Sequence, residues 1–242
     1  MKKALVCILF ALTACTSPTP QTVNFLDLQQ TTNKGVKEEP GIKPRPATET
    51  TETRDSLNIE VPFFSQAPHS NWDYPWQEAC EEASILNVAN VFKEMNLNLD
   101  TFNTELLRIV DWENSYFGDY KHTSVAQTAE MIKIQYGLRT EIRENPTFED
   151  IKTIISNGHL IVAPFAGKLL GNPNFKNGGP NYHMLVIKGC DTAKMQIITN
   201  DVGTRNGSNY TYDWSVIENA LHDWSDPDIT LGAKKIIEVF PS

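Results

Sequence analysis

The residue most suited to chemistry is Cys80, which lies where an aromatic, turn-prone segment meets an apolar pattern typical of a helix. Apolar side chains at positions 85, 88, 89 and 92 predict a helix that begins near Cys80 and ends near Asn96. Unpaired N–H groups at a helix start stabilise an anion, and the thiolate is the nucleophilic form of cysteine. Cys80 is therefore a candidate nucleophile, although most free cysteines are simply small buried hydrophobes. Glu81 and Glu82 suit the start of a helix but oppose a thiolate beside them.

A thiol nucleophile needs a base that takes its proton and a third group that orients the base. His183 is the best placed of five histidines, because it opens the predicted strand Tyr182–Gly189 directly after a loop rich in Gly, Asn and Pro. A side chain at such a strand end can face a cleft beneath a movable rim. The other histidines lie in a polar loop, beside helix ends or at the start of another strand: His69, His122, His222 and His159.

Asp201 ends the next predicted strand, which begins at Met195. A three-residue hairpin turn at positions 191–193 would place Asp201 directly opposite His183, on the same face of the sheet, with the two Cβ atoms about 4.5–5.5 Å apart. A turn of two or four residues would move Asp201 to the other face. The three-residue turn also pairs apolar residues with each other: Val186 with Ile198 and Ile187 with Ile197. The spacing thus predicts that His183 lies between Cys80 and Asp201.

Four segments resemble stand-alone bacterial relatives of the bacteriocin-leader (double-glycine) peptidases, within the papain-like cysteine peptidase superfamily: VPFFSQAPHSNW, QEACEEASILN, YHMLVIKGCD and IITNDVGT. The similarity covers the chain from Val61 onward. It implies a papain-like fold with Cys80 as nucleophile, His183 as general base and acid, and Asp201 as the orienting group. It also implies that Gln66 supplies the side-chain donor of the oxyanion hole, with Gln77, which lies nearer to Cys80, as the alternative.

The N-terminus has the pattern of a secretory signal. Lys2 and Lys3 precede a short apolar stretch, and the following residues LTAC resemble a bacterial lipobox, which implies cleavage before Cys15 and diacylation of its thiol. We therefore expect a lipoprotein signal peptide over residues 1–14 and a membrane contact through the lipid. Thr16 is not the Asp associated with inner-membrane retention, so the outer membrane is expected in a bacterium with two membranes. Residues 15–56, rich in Pro and Thr, predict a disordered tether.

The folded domain is expected over residues 57–242. Besides the Cys80 helix, the pattern predicts helices near residues 105–112, 124–136, 147–158 and 215–221. It predicts strands near 59–64, 159–165, 182–189, 195–201 and 235–240. Because helices come first and most strands come later, the sequence predicts an α+β fold with an antiparallel sheet packed on the helix that carries the nucleophile.

Charge and motif content exclude several functional classes. The net charge is −9, and no run of Lys or Arg could form a phosphate-binding stripe, which argues against a nucleic-acid partner. C-x-x-C, H-E-x-x-H, P-loop and G-x-G-x-x-G motifs are absent, so no metal or cofactor is predicted. Cys80 and Cys190 are expected to be reduced. The oligomeric state stays open.

These observations together predict a cysteine peptidase or amidase that acts outside the cytoplasm on a peptide, isopeptide or cell-wall amide bond, through a thioester intermediate. An acyl transferase could use the same site. A catalytically idle surface lipoprotein that binds peptides or cell-wall fragments is the alternative from a different class.

Overall fold

The structure is a computed structural model that describes residues 55–241. The predicted signal peptide, the predicted lipidation site Cys15 and nearly all of the predicted tether lie outside these residues. The first described strand begins at Ser56.

One antiparallel sheet of seven strands forms the centre of the domain. Its strands are β1 (Ser56–Asn58), β2 (Thr140–Glu144), β3 (Leu160–Ala166), β4 (Tyr182–Asp191), β5 (Gln196–Asn200), β6 (Tyr210–Asp213) and β7 (Lys235–Val239). They lie in the order β2-β7-β3-β4-β5-β6, and β1 pairs with the end of β4 that extends beyond β3. The long strand β4 therefore touches three others and carries His183 at its other end.

Five α-helices surround the sheet: α1 (Cys80–Phe92), α2 (Leu99–Tyr116), α3 (Val125–Tyr136), α4 (Phe148–Ser156) and α5 (Trp214–Ala220). Capping explains two of the boundaries that the sequence predicts. Ser124 and Thr147 accept backbone N–H bonds as the N-caps of α3 and α4. Gly137 ends α3 in the left-handed conformation, with φ 63°.

Both faces of the sheet are covered. Met184 and Val186 of β4 pack with α1, α2 and α3, whereas Leu185 and Ile187 point to the opposite face and pack with α4 and α5. Helix α1 is buried on every side over most of its length, from Cys80 to Asn90. This burial exceeds the single apolar face that its sequence pattern indicates. The expected α+β fold, with an antiparallel sheet packed on the nucleophile's helix, is confirmed.

Several element predictions need correction. Residues 59–64 form no strand; instead, the α1 side chain of Asn87 accepts a hydrogen bond from the Phe64 N–H at 3.0 Å and donates to the Phe64 carbonyl at 2.9 Å. The Asn87 amide thus makes the two backbone hydrogen bonds that a neighbouring strand would otherwise make. Strands β2 and β6 escape prediction because they are short and largely polar. Helix α1 ends at Phe92 instead of near Asn96.

The predicted register of β4 and β5 is also wrong. Asp191 pairs with Gln196, so the turn has four residues instead of three. Further along, Val186 pairs with Asn200, and the shift between Ile187 and Gly189 leaves Lys188 as the extra residue of a β-bulge. The predicted pairs of Val186 with Ile198 and Ile187 with Ile197 do not form.

The bulge reverses the effect of the longer turn. A four-residue turn alone would put Asp201 on the face opposite His183, but one extra residue on β4 changes the side-chain alternation once more. Asp201, one residue beyond β5, therefore returns to the face of His183 without lying directly opposite it. The buried Lys188 ammonium donates to Asn58 and Asn209, which holds the bulge against β1.

Candidate active site

A cleft of about 950 Å³ opens at the His183 end of β4. Its lining includes Gln66, Gln77, Cys80 and His183. Loop residues 174–177, 179–181 and 203–206 also line it. Four of the side chains that the sequence predicts for the site therefore share one cleft, and Asp201 lies buried behind it.

The contact between His183 and Asp201 is direct. His183 Nε2 lies 2.8 Å from Asp201 Oδ1, and both side chains are almost completely buried. Burial alone would raise the pKa of Asp201, but the imidazole of His183 and the hydrogen bonds that the carboxylate accepts outweigh burial and hold this pKa below its usual value. The carboxylate is therefore ionised at neutral pH. Because Nε2 is engaged, Nδ1 is the ring nitrogen left for other chemistry.

Two residues that sequence reasoning missed complete the binding of this carboxylate. Tyr212 donates its hydroxyl to Asp201 Oδ2 at 2.5 Å, and Asn172 Nδ2 donates to the same oxygen at 3.0 Å. Asp201 Oδ1 also accepts the Gly203 backbone N–H at 3.0 Å. Tyr212 was missed because β6 was not predicted. Asn172 belongs to the loop predicted as a rim, but its composition does not distinguish it from the neighbouring asparagines.

The His183 ring is fixed by its neighbours. Phe175 packs against it edge-on, with ring centroids 5.3 Å apart. A Cβ atom added to Gly203 would lie only 2.7 Å from His183 Cε1, so the position opposite the ring accommodates no side chain. These contacts leave the imidazole little freedom to turn.

Helix α1 lies beside the part of β4 that β5 does not pair with, and this position brings Cys80 to the cleft. The β5 ladder ends where Asn200 pairs with Val186, which leaves the first residues of β4 without a strand on that side. Ser84 of α1 donates its hydroxyl to the Met184 carbonyl there, at 3.1 Å. Ser84, four residues after Cys80, thus bonds a β4 carbonyl that the β5 ladder leaves unpaired.

The thiol of Cys80 has a different partner from the one predicted. Its Sγ donates to Glu81 Oε2 at 2.9 Å, and within residues 55–241 no hydrogen bond joins it to His183. The side chain is buried, with 6% of its surface exposed. Burial raises the pKa of this thiol well above its usual value, and the carboxylate of Glu81 raises it further. Cys80 therefore lines the cleft as a thiol whose surroundings oppose ionisation.

Gln66 is bonded to backbone. Its Nε2 donates both hydrogens, to the Trp76 carbonyl at 2.9 Å and to the Gln77 carbonyl at 3.0 Å. Its Oε1 is buried and has no hydrogen-bond partner in the described part of the chain. In this arrangement Gln66 supports the segment before Cys80 and offers no free N–H to an oxyanion. The side chain of Gln77 is exposed, and its Nε2 donates to Glu78 at 3.1 Å.

Further carboxyl groups are buried beside the site. Glu82 on α1 and Glu113 on α2 interact electrostatically, and none of their four carboxyl oxygens has a hydrogen-bond partner within residues 55–241. Burial raises the pKa of each carboxyl far above its ordinary value. The described residues contain no group of three His, Cys, Asp or Glu side chains that could hold a metal ion. Cys80 and Cys190 are both free thiols, as predicted.

A family model, described as the Peptidase_C39 like family, matches residues 58–226. The chain belongs to the Peptidase_C39-like family. This match confirms the resemblance to relatives of the bacteriocin-leader peptidases. Cys80, His183 and Asp201 all fall within the matched residues.

Two solved structures resemble this C39-like protein. A putative C39-like peptidase from Bacillus anthracis superposes with a TM-score of 0.53 at 12% identity, over 77% of this chain and 98% of that one. The peptidase domain of Streptococcus ComA, a bifunctional ABC transporter involved in quorum sensing, gives a TM-score of 0.33 at 16% identity, over 69% of this chain and 93% of that one. The first likeness confirms the papain-like fold. No curated protein matches this sequence. Within residues 55–241, no helix is long and apolar enough to cross a membrane.

Proposed function

We propose that this C39-like protein is a cysteine peptidase or amidase in which Cys80 attacks an amide carbonyl and His183 transfers the proton. The observation that carries the proposal is the shared cleft: Cys80 and His183 both line it, and Asp201 binds the far nitrogen of the His183 ring. A carboxylate that accepts four hydrogen bonds is well suited to hold one tautomer of that ring.

The proposed reaction begins when His183 Nδ1 takes the proton of the Cys80 thiol. The thiolate then adds to the carbonyl carbon, and His183 returns the proton to the departing amine as the thioester forms. Water, activated by the same imidazole, hydrolyses the thioester and restores the thiol. Because the resting thiol donates to Glu81, the first step requires the S–H group to turn toward His183.

The developing oxyanion needs donors at the start of α1. Cys80 is the first residue of the helix, so its backbone N–H has no partner inside the helix and supplies one donor. Gln66 serves as the second donor if its Nε2 leaves one of the two carbonyls that it now bonds. Gln77 stays the alternative, because its exposed side chain lines the same cleft.

The substrate that we propose is a peptide, isopeptide or cell-wall amide outside the cytoplasm. A cleft of about 950 Å³ has room for a short stretch of such a chain. The location rests on the basic and apolar N-terminal residues, and anchoring rests on the lipobox-like LTAC that ends at Cys15. Mass spectrometry of the N-terminus of the membrane fraction tests this part, and an unmodified start elsewhere than Cys15 would contradict it.

Peptide-library cleavage read by mass spectrometry tests the activity. We expect the wild-type protein to cut a defined subset of peptides and to form a thioester adduct on Cys80 that acid quenching preserves. Cys80→Ala and His183→Ala should each lower the rate by at least about 10³-fold, because the nucleophile and its base act as a unit and neither is effective without the other. Asp201→Asn should retain a weaker activity, because an amide still orients the ring.

Cys190→Ala is the matched control, since it removes the other described cysteine, which is also buried and free. It should cleave at the wild-type rate. Cleavage that persists in Cys80→Ala would refute the proposal. Binding of peptides without any cleavage or adduct by the wild-type protein would favour the idle binding module instead.

A further inference from the structure

The contact between Cys80 and Glu81 is not a default of helix geometry. Successive side chains on a helix point about 100° apart and do not normally face each other. Here Glu81 turns its carboxylate back to the preceding residue, so that Oε2 lies 2.9 Å from Cys80 Sγ. Both residues line the cleft, and Glu81 is fully buried.

Glu81 has few other ways to satisfy its charge. Its Oε1 is buried without a hydrogen-bond partner in the described part of the chain, and no ion pair there includes Glu81. A carboxylate in such a place is costly unless it is bonded or neutralised. The S–H group of Cys80 is thus the side-chain donor that supports its ionised form.

The surroundings of Glu81 hold both acidic and basic groups. Burial raises the pKa of its carboxyl to about 7, while the hydrogen bond from Cys80 and backbone hydrogen bonds at Glu81 and Thr123 act in the opposite direction. The titratable or charged groups around it are Cys80 and Glu82 on α1, Glu78 before α1, Glu113 on α2, Tyr182 and His183 on β4, and His122, Lys176 and Arg205 in the walls of the cleft.

We propose that Glu81 is a second proton partner of the nucleophile, which accepts the S–H of Cys80 when ionised and donates its own proton toward the thiolate when protonated. This role rests on the proposed function, in which His183 removes the thiol proton. In the protonated form the S–H bond breaks, the new N–H bond forms on His183, and the Glu81 proton stays on its carboxyl and faces the negative sulfur. In the ionised form two negative groups would meet at contact distance, so the thiol stays neutral.

The consequence is a nucleophile whose reactivity depends on a neighbouring acid as well as on its base. Replacing Glu81 by Gln removes the charge and keeps an N–H donor of similar size. The thiolate should then be favoured above the pKa of Glu81, where the wild-type carboxylate opposes it. Each unit by which the thiol pKa falls raises the thiolate fraction tenfold, and the lower intrinsic nucleophilicity reduces the net gain to about threefold.

The test measures the alkylation rate of Cys80 by iodoacetamide at pH 5.5 and pH 8.0, with peptide mapping to separate Cys80 from Cys190. We expect Glu81→Gln to react at least about threefold faster than the wild type at pH 8.0 and at nearly the same rate at pH 5.5, where Glu81 is protonated. The proposal would be overturned if Glu81→Gln and the wild type reacted at equal rates at both pH values. It would also be overturned if the ratio of their rates were the same at both, because a merely structural effect carries no such pH dependence.

Glu82→Gln is the matched control. It makes the same substitution at the next buried position of the same helical turn, where the carboxyl interacts with Glu113 and makes no hydrogen bond to the thiol. Glu82 also raises the pKa of the Cys80 thiol, but less than Glu81 does, so Glu82→Gln should gain less reactivity at pH 8.0 than Glu81→Gln. A gain in Glu82→Gln equal to that in Glu81→Gln would show a general charge effect and would also overturn the proposal.

If Glu81→Gln does not fold, a variant that keeps Glu81 still tests the proposal. Alkylation of Cys80 in His183→Ala should retain a step near pH 7 in addition to the thiol's own titration, because Glu81 still titrates beside the sulfur. A single thiol titration there would refute the role of Glu81. None of these rates requires a substrate, so a failure to find peptide cleavage would count against the proposed function and leave this result intact.

Discussion

Tyr212→Phe removes one hydroxyl from the group that binds the Asp201 carboxylate. The hydroxyl is buried and lies 2.5 Å from Asp201 Oδ2. Phenylalanine keeps the ring, so the substitution leaves almost no cavity. Asp201 retains three donors, from His183, Asn172 and the Gly203 backbone. The measured effect should therefore report the single hydrogen bond.

The magnitude follows from the charge of the acceptor. A hydrogen bond to a charged group contributes about 1.5–3 kcal/mol to the free energy of unfolding, against about 1 kcal/mol for a neutral pair. We expect Tyr212→Phe to lose about 2 kcal/mol, which lowers the Tm of a domain of this size by about 4–8 °C.

The loss should also depend on pH with a defined sign. The folded-state pKa of Asp201 lies below its unfolded value, so the stability that its ionised form contributes is present above the unfolded pKa and is lost as the pH falls through the folded pKa. The difference in Tm between wild type and variant should accordingly be constant from pH 8 to pH 5 and shrink only in stronger acid.

Thermal unfolding followed by circular dichroism measures this difference, with Tyr210→Phe as the control. Tyr210 neighbours Tyr212, with ring centroids 4.8 Å apart, but its hydroxyl makes no hydrogen bond within residues 55–241. The control should change the Tm by less than about 2 °C, because it keeps the packed ring and removes a hydroxyl without a hydrogen bond among the described residues. Equal losses in the two variants would refute the reasoning, because the bond to Asp201 would then contribute nothing of its own.

Three further predictions concern other buried contacts. Gly203→Ala should reduce the kcat/KM of peptide cleavage by about 10²-fold and also lower the Tm, because its Cβ would lie 2.7 Å from His183 Cε1 and displace the buried ring. The raised pKa values of Glu82 and Glu113 make the folded state hold protons that the unfolded state releases, so the free energy of unfolding falls as the pH rises from 5 to 8. Glu82→Gln should reduce this slope by up to about 1.4 kcal/mol per pH unit, as measured by urea titrations. Gly189→Ala should cost about 1–3 kcal/mol and increase proteolysis near β1, because its Cβ would lie 2.4 Å from a β1 carbonyl oxygen; an unchanged Tm would contradict the packing argument.

The sequence predicts those parts of the fold that local patterns determine. Caps at Ser124 and Thr147 set helix starts through their own side chains, and the long apolar run of β4 needs no distant partner to be recognised. Strand register depends on turn length and on the bulge at Lys188, and Gly189 within β4 is only a weak local sign of that bulge. The predicted three-residue turn is wrong. The contact of His183 with Asp201 still forms, because the bulge on β4 restores the side-chain alternation that the four-residue turn shifts.

The same distinction applies to the site. The resemblance assigns residue types to roles, but it does not say what each side chain contacts when the chain is folded. Gln66 bonds two backbone carbonyls, and Cys80 bonds Glu81, because the local geometry of the segment before α1 decides where these side chains point. Tyr212 and Asn172 approach Asp201 only through long-range pairing of the sheet and its loops.

The short strand β1 fixes where the N-terminal part of the chain joins the domain. Ser56 pairs with Asp191 at the turn end of β4, whereas His183 lies eight residues earlier on that strand, a distance of about 26 Å at 3.3 Å per residue. The junction and the cleft thus occupy opposite ends of the central strand. A reporter or affinity tag fused directly before Asp55 would therefore attach at the end of the sheet remote from the cleft, which makes this junction the preferred place to immobilise the domain for assays with large substrates.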